Sequence, residues 1–292
     1  MKHEIDLSKY KIHTDLAIEE KSDLLNDLKV ETKGEIKITS LFLDQNKAKE
    51  IHKKTGNYIT IEFKDITDHQ NREKLKKILA ETLKKILKEI NVYQKKCLVI
   101  GLGNINSTPD SLGPKVAKRI IVTSHIAEIS ELEVGFSNVS SYAVGVKGET
   151  GLESIDVIKG LIKACKPDFM LVIDALASQS LERLNRTIQI TDAGINPGSG
   201  VGNNRKELSK SSLKVPVIAL GVPTVIDLLT IMKNMNSQEN VLSEDYNMMV
   251  TPKEIDFILE NLVEVIADSI NLTLHEALSK KWQILINHFI KI

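Results

Sequence analysis

The chain has 292 residues, in which 39 lysine and arginine residues balance 39 aspartate and glutamate residues. This zero formal charge gives no electrostatic argument for a nucleic-acid or membrane partner. Aromatic residues make up only 4% of the chain, which disfavours single-strand binding by base stacking. No apolar run approaches the roughly 20 residues that cross a bilayer, and the charged N-terminus does not resemble a secretory signal. We therefore expect a cytoplasmic globular protein.

The first third of the chain predicts an arm, two strands and a long helix. Residues 1–34 are polar and resemble a loosely attached arm. Residues 35–43 and 57–63 alternate apolar and polar side chains, as in half-buried strands, and a short helical stretch over 45–52 separates them. We expect a small N-terminal β-rich part over residues 35–65. A lysine-rich helix follows, with its apolar face formed by Leu75, Leu79, Leu83, Ile86 and Ile90.

From residue 96 onward, strand-like runs alternate with helical patterns. The strand-like runs are 97–101, 131–136, 169–174, 187–192 and 216–221. We predict helices over 113–124, before Pro167 and from about Pro223, and two capping boxes, Thr150 with Glu153 and Thr251 with Glu254. The last helix places Ile255, Ile258, Leu262, Ile266 and Ile270 on one face. This alternation predicts an α/β fold with a twisted, mostly parallel sheet and helices on both faces over residues 96–292.

Two aspartates stand where strands of this sheet end. Asp110 lies in the loop after the strand 97–101, and Asp174 closes the strand 169–174. In open parallel sheets, functional groups collect beyond the carboxyl ends of the strands. A pair of carboxyl groups there can share the work of a general base and a general acid. The alternative is structural, because either residue can cap a helix or a turn.

Other chemistries have weaker support in the sequence. Gly101 and Gly103 begin a dinucleotide-binding pattern, but Asn106 stands where its third glycine belongs. The seven histidines are scattered without metal-ligand spacing, so we expect no metal and no cofactor. Cys97 and Cys165 each flank an apolar run, which favours reduced thiols over a disulfide or a ligand role. The loop 197–207 can hold a peptide carbonyl or carboxylate, or it can be a plain polar connection.

Several long motifs in one order resemble the germination protease family of spore-forming bacteria. They are DLSKYKIHTDLAIEE, GLGNINSTPDSLGPKV, VIDALAS, PGSGVGNNRKE, VIALGVPTVID and VTPKEID. Together they extend from one end of the chain to the other. The family is similar to hydrogenase-maturation endopeptidases, so the resemblance implies their α/β sandwich around a twisted sheet.

The resemblance also implies an activity and its residues. Family members are endopeptidases of aspartic type that degrade small acid-soluble spore proteins at germination, and their two essential aspartates match Asp110 and Asp174. Members are made as zymogens that cut after an acidic residue and before a hydrophobic residue followed by alanine. The stretch Thr14-Asp15-Leu16-Ala17 fits that pattern, which implies self-cleavage between Asp15 and Leu16.

These implications set the remaining expectations. Residues 1–15 would be a propeptide and residues 16–292 a single peptidase domain in the spore core, assembled as a homotetramer by family analogy. We expect Asn104, Asn106, Gly200 and Arg205, which lie in two polar loops, to contact substrate. The alternatives are a metal-recognising maturation endopeptidase, a nucleotide-binding module that uses the turn over 101–106, and an inactive relative that only binds proteins.

Overall fold

A computed structural model of the chain describes residues 4–5, 14–20, 28–198, 206–235, 241–242 and 248–278. The strands are β1 (Glu4–Ile5), β2 (Lys29–Lys33), β3 (Ile36–Leu43), β4 (Gly56–Glu62), β5 (Cys97–Leu102), β6 (Val139–Val144), β7 (Phe169–Ser178), β8 (Thr187–Thr191), β9 (Val217–Asp227), β10 (Val241–Leu242) and β11 (Met249–Val250). The helices are α1 (Gln45–Glu50), α2 (His69–Glu89), α3 (Leu112–Arg119), α4 (Ser124–Ala127), α5 (Lys147–Thr150), α6 (Ser154–Cys165), α7 (Lys210–Leu213), α8 (Leu228–Asn234) and α9 (Ile255–Leu274).

One large sheet organises the fold, in the order β2-β3-β4-β8-β9-β7-β5-β6, with β11 paired to the end of β9. The pairs β9–β7, β7–β5 and β5–β6 are parallel. The pairs from β2 across to β9 are antiparallel. The α/β class is confirmed. The sheet is mixed, however, and the predicted N-terminal β-rich part continues it through β4 and β8. Its parallel strands carry the predicted site.

Helices cover both faces of the sheet, as predicted. On one face α2, α3 and α9 pack against alternate strand residues such as Val99, Leu171 and Ile173. On the other face α6 packs against Leu98, Ile100 and their neighbours. The predicted apolar faces of α2 and α9 point into the first of these cores. Among the described residues, no helix combines the length and the apolar character that crossing a membrane would require.

The helix α3 is shorter than the predicted 113–124, because a distant side chain ends it. The Asn271 amide nitrogen donates to the carbonyl oxygen of Arg119 at 3.0 Å. Its amide oxygen accepts a hydrogen bond from the backbone N–H of Ile121 at 2.9 Å. These bonds satisfy groups that a further turn of helix would have used. Ile120 then adopts an extended backbone and is buried in the core.

The prediction of a helix from about Pro223 is wrong, because these residues belong to β9, which continues to Asp227. In the β7–β9 register Leu176 pairs with Pro223 and Ala177 pairs with Val225, so Thr224 is an extra residue in β9. A proline in a strand is tolerated at such a bulge, where its missing N–H costs no ladder bond. The helix α8 begins only after Asp227, whose side chain accepts hydrogen bonds from the backbone N–H groups of Leu229 and Thr230.

Neither predicted capping box forms. Thr150 ends the short helix α5, and its hydroxyl donates to the carbonyl of Val146, while α6 begins at Ser154. The Thr251 hydroxyl donates to the carbonyl of Thr224 at 2.8 Å instead of capping α9. In both places the helix begins later than predicted, after Glu153 and Glu254, and neither of these N-cap side chains accepts a capping bond.

Two further expectations concern the sheet edge and the thiols. Residues 131–136 form no strand; the strand next to β5 is β6, and Val134 is 98% exposed. A strand at the edge of a sheet needs few apolar residues. Because β6 contains two serines, it does not form the apolar run by which the other strands were predicted. Cys97 and Cys165 are free thiols, as predicted. Burial raises the pKa of the Cys97 thiol, which keeps it protonated and unreactive.

Candidate active site

The loop after β5 folds back so that Asp110 lies against the end of that strand. Gly103, one residue beyond β5, has a positive φ of 121°, and a Cβ atom there would lie 2.0 Å from the carbonyl oxygen of Asp110. The Asp110 carboxylate accepts a hydrogen bond from the backbone N–H of Asn104 at 2.8 Å. Asp110 belongs to the 3-10 turn Thr108–Asp110 and does not cap α3, whose N-cap is Ser111. The structural alternative of a helix cap is therefore wrong for Asp110.

The first turn of α3 brings this loop onto two strands at once. A Cβ atom on Gly113 would lie 2.3 Å from the carbonyl oxygen of Leu102 and 2.5 Å from that of Ile173. The helix therefore rests between the carboxyl end of β5 and the middle of β7 and allows no side chain at position 113. The turn Thr108–Asp110 also packs against β7 and β9.

The prediction that Asp174 closes its strand is wrong, because β7 continues to Ser178 by pairing with β9. Asp174 lies on β7, the strand parallel and adjacent to β5, and is only 4% exposed. Its Oδ1 accepts a hydrogen bond from the backbone N–H of Ala175 at 3.0 Å. Since side chains alternate along a strand, Asp174 shares a face of the sheet with Leu176. The structure thus places both aspartates by the carboxyl end of β5: Asp110 in the loop that follows it, and Asp174 within the adjacent parallel strand, one residue past their last paired position.

The other residues expected to contact substrate have different surroundings. The Asn104 side-chain oxygen accepts from the backbone N–H of Asn106 at 2.8 Å, which stabilises the loop that holds Asp110. The exposed Asn106 side chain donates to Glu149 at 2.7 Å. Both asparagines therefore have bonds that order the loop. Gly200 and Arg205 lie outside the described residues.

A peptide segment of the chain itself, residues 14–20, crosses the face of the sheet that Asp174 shares. The backbone N–H of Asp15 donates to the carbonyl of Ala177 at 3.0 Å, and the Asp15 carboxylate accepts from the N–H of Ala177 at 2.9 Å. On the other side, Gln189 of β8 bonds to the backbone of Asp15 and Ala17. The segment is therefore held by β7 on one side and by β8 on the other, across β9.

The side chains around the predicted cleavage point are deeply buried. Leu16 is fully buried against Leu176, Ile18 and Ile195. Ala17 is also fully buried, in a cluster with Leu41, Leu43 and Tyr58. A larger residue in place of Ala17 would have to displace these neighbours. The bond between Asp15 and Leu16 thus lies between an acidic side chain held by backbone and an apolar side chain held in a pocket.

Glu19 is bound in a site built for a carboxylate. Its side chain is fully buried and accepts from the Ser178 hydroxyl and from the backbone N–H of Gln179, each at 2.7 Å. The Arg183 guanidinium lies 3.7 Å from the same carboxylate. A buried carboxylate is stable only when donors and a cation compensate its lost hydration, and all three are present.

A cavity of about 230 Å³ opens beside this segment. Its lining includes Thr14, Asp15, Lys53, Tyr58, Gln189 and Gly221. The Lys53 ammonium donates to the carbonyl oxygen of Thr14 at 2.8 Å. Burial raises the pKa of the Tyr58 hydroxyl, which stays protonated and donates to the carbonyl of Lys54. The cavity thus offers fixed donors along the path of the bound peptide.

The turn over 101–106, which a nucleotide-binding module would use, is packed against the chain's own backbone. A Cβ atom on Gly101 would lie 2.0 Å from the carbonyl oxygen of Gly113, and Gly103 faces the backbone of Asp110. These glycines therefore allow helix α3 and its loop to approach β5. Within the described ranges, no three histidine, cysteine, aspartate or glutamate side chains gather in a group that could hold a metal ion.

Sequence reasoning missed several residues that the fold brings to the peptide segment: Ser178, Arg183, Gln189 and Gly221. Gln189 had the clearest signal. It is a polar residue between isoleucines in the fully buried strand β8. A buried amide needs hydrogen-bond partners, and a strand whose backbone is already paired must find them elsewhere.

The fold and the site together define a class. An α/β sheet with two carboxylates by the carboxyl end of β5, and with a peptide segment held across it by β7 and β8, describes a hydrolytic enzyme that acts on peptides.

Comparison with known proteins identifies the family. A sequence profile of the germination protease family matches residues 5–242. A germination protease of Bacillus subtilis (strain 168) is 36% identical over an alignment of 366 residues, which covers 98% of this chain and all of the relative. One from Bacillus cereus (strain ATCC 10987) is 37% identical over 360 residues, covering 96% of this chain and 98% of the relative. The chain belongs to the germination protease family and is a peptidase.

Among solved structures, a NiFe hydrogenase maturation protease from Thermococcus kodakarensis is 20% identical. It matches 60% of this chain and 92% of its own length, with a TM-score of 0.34.

Proposed function

We propose that the protein is a zymogen of a spore endopeptidase that cuts its own chain between Asp15 and Leu16. In its processed form it hydrolyses small acid-soluble spore proteins during germination. The observation that carries the proposal is the docking of residues 14–20 across the sheet, on the face that Asp174 shares. If residues 1–15 had no part in catalysis, the peptide bond between Asp15 and Leu16 would not need to lie on the face of the sheet that carries Asp174.

The proposed chemistry uses Asp110 and Asp174 on a water molecule, without a covalent intermediate. One carboxylate, ionised, accepts a proton from the attacking water. The other, protonated, donates a proton as the peptide bond breaks. The close packing of α3 on β5 and β7 supports this pairing, because it fixes the loop of Asp110 at the strand end next to Asp174.

The contacts of the docked segment also support the substrate preference. The carboxylate at position 15 accepts a hydrogen bond from the backbone N–H of Ala177. The side chain at position 16 lies in an apolar pocket, and the space at position 17 admits little more than a methyl group. These three environments match the order acidic, hydrophobic, alanine. We expect the same order at the sites cut in spore proteins.

Purified full-length chain tests the proposal when its new N-terminus is sequenced after incubation. We expect a chain that begins at Leu16. Asp110→Asn and Asp174→Asn should each abolish this cut and the degradation of spore proteins while the circular dichroism spectrum stays unchanged. A folded variant that still processes at the normal rate would remove that aspartate from the mechanism.

The assembly and location belong to the same proposal. We propose a homotetramer in the spore cytoplasm. Ile129 and Val134, which follow helix α4, are 85% and 98% exposed and are available for contacts between copies. Sedimentation equilibrium tests the tetramer, and a monomer at micromolar concentration would contradict it.

A further inference from the structure

Both ends of the Gln189 side chain bind the peptide segment. Its Oε1 accepts a hydrogen bond from the backbone N–H of Ala17 at 2.7 Å. Its Nε2 donates to the backbone carbonyl oxygen of Asp15 at 3.2 Å. That carbonyl belongs to the bond between Asp15 and Leu16. Gln189 is only 6% exposed, so water competes little for either bond.

The orientation of this amide follows from its partners. If the amide were turned over, its NH2 group would face the N–H of Ala17 and its oxygen would face the carbonyl of Asp15. Each contact would then pair two donors or two acceptors. Only the observed orientation satisfies both groups, and it points an N–H donor at the carbonyl oxygen.

The sheet register places Gln189 in the same row as Asp174. Gln189 of β8 pairs with Gly221 of β9, and Gly221 pairs with Asp174 of β7. At the usual strand spacing, the two outer residues stand about 10 Å apart on one face. The middle residue has no side chain, and Leu176 leans over it to contact Leu16. The peptide therefore passes over β9 between Gln189 on β8 and the β7 residues Leu176 and Ala177, and Asp174 stands in the same row as Gln189.

We infer that Gln189 is a further catalytic residue, whose Nε2–H group stabilises the negative charge on the carbonyl oxygen of the bond being cut. The inference rests on the proposed cleavage between Asp15 and Leu16. Asp110 and Asp174 would then be free to handle the protons of the water and of the leaving amine.

The atoms balance in this scheme. The water oxygen bonds to the carbonyl carbon of residue 15, and the π electron pair of the carbonyl moves onto its oxygen, beside Gln189. One water proton passes to the ionised carboxylate. When the electron pair on the carbonyl oxygen re-forms the C=O double bond, the bond from carbon to the nitrogen of Leu16 breaks. That nitrogen takes a proton from the protonated carboxyl. The products are a carboxyl group on Asp15 and an amine on Leu16, without an oxidant or reductant.

Two substitutions separate the two bonds of Gln189. Gln189→Glu keeps an acceptor for the N–H of Ala17 but replaces the donor to the carbonyl, whereas Gln189→Ala removes both. Gln70→Glu is the matched control, because it makes the same chemical change at an exposed position at the start of α2. The rate of appearance of the Leu16 N-terminus and the hydrogen exchange of the Ala17 amide are measured in the full-length chain of each variant.

We expect both Gln189 variants to process about 10²–10³-fold more slowly, the usual effect of losing one oxyanion donor. In Gln189→Glu the Ala17 amide should remain protected, so the segment stays docked while the reaction slows. Processing at the normal rate in either variant would overturn the inference and leave the proposed function intact. A slow Gln189→Glu variant with lost Ala17 protection would reduce Gln189 to a positioning residue. A wild-type chain that never exposes Leu16 would contradict the proposed function and the inference together.

Discussion

Gly101 of β5 and Gly113 of α3 pack so closely that a Cβ atom on Gly101 would lie 2.0 Å from the carbonyl oxygen of Gly113. This contact seats the first turn of α3 directly on the strand that leads into the site. It also sets the position of the loop between them, which carries Asp110. A change in the spacing of helix and strand should therefore be measurable as a change in catalysis.

Gly113→Ala should slow self-cleavage strongly. The added methyl group would lie 2.3 Å from the carbonyl oxygen of Leu102, so α3 must move away from the sheet and carry Asp110 with it. A displacement near 1 Å can cost about a hundredfold in rate. The rate of appearance of the Leu16 N-terminus measures the effect.

Gly160→Ala is the control for that substitution. Gly160 lies in α6, and a Cβ atom there would meet nothing within 4 Å. We expect normal processing and about 0.5–1 kcal/mol of added stability from the better helix former. If Gly113→Ala processed as fast as Gly160→Ala, the close packing of α3 would not set the catalytic geometry.

Arg183→Met should loosen the docked segment. The fully buried Glu19 carboxylate would lose the cation 3.7 Å away and keep only its neutral donors. Loss of a cation from a buried carboxylate costs several kcal/mol, which we reduce to about 1–3 kcal/mol because Arg183 is partly exposed. Hydrogen exchange at Ala17 should accelerate at least about fivefold. Arg186→Met, at an exposed position nearby, should leave the exchange rate of the Ala17 amide unchanged.

Lys76→Met should destabilise the whole fold. Its ammonium lies 2.8 Å from Glu73, 2.7 Å from Glu264 and 2.9 Å from Asp268, so it joins α2 to α9. Burial alone would lower the pKa of Lys76, but these carboxylates outweigh burial and raise it. Removal of the cation leaves three like charges together, at a cost of about 1–3 kcal/mol. Urea unfolding measures this cost, and Lys77→Met, at an exposed position, is the control. Equal unfolding midpoints for the two variants would refute the prediction.

His275 should make the protein less stable as the pH falls below about 6.5, the ordinary pKa of histidine. The buried ring bonds through Nε2 to the carbonyl oxygen of Ile121 at 2.9 Å, and burial lowers its pKa. Between the lowered pKa and 6.5, the unfolded chain binds a proton that the folded chain does not. Folding stability is therefore complete above this window and declines within it.

The substitution His275→Gln keeps a donor for Ile121 and removes the titrating group. We expect urea unfolding of this variant to change less between pH 7.5 and pH 5.5 than that of the wild type. Other titrating groups act equally in both proteins and cancel in the comparison. Identical pH dependence in the two proteins would exclude His275 as the cause.

Patterns that depend on neighbouring residues predicted much of this fold. The apolar faces of α2 and α9 and most strands follow from periodicities of three to four and of two, and they are confirmed. The general rule for parallel sheets put Asp174 at the end of its strand, which is wrong, although Asp174 does lie by the carboxyl end of the neighbouring β5. The catalytic role of Asp174 remains a prediction until the variants are measured.

The errors at Pro223 and Thr251 share one cause, which is competition from residues far along the chain. Pro223 was taken as a helix start, but the register of β9 with β7 keeps it in a bulged strand. Thr251 was predicted to cap a helix, but its hydroxyl donates a hydrogen bond to the carbonyl oxygen of Thr224. In each case a local preference of about 1 kcal/mol lost to a tertiary contact.

The sequence alone determined the α/β class, the two candidate aspartates and the stretch at residues 14–17 that resembles a cleavage site. The tertiary structure decided which groups surround that stretch. Gln189 is 172 residues from Ala17, and Ser178 is 159 residues from Glu19. Contacts over such separations arise only when the strands pair in register, since the register brings their side chains to one face.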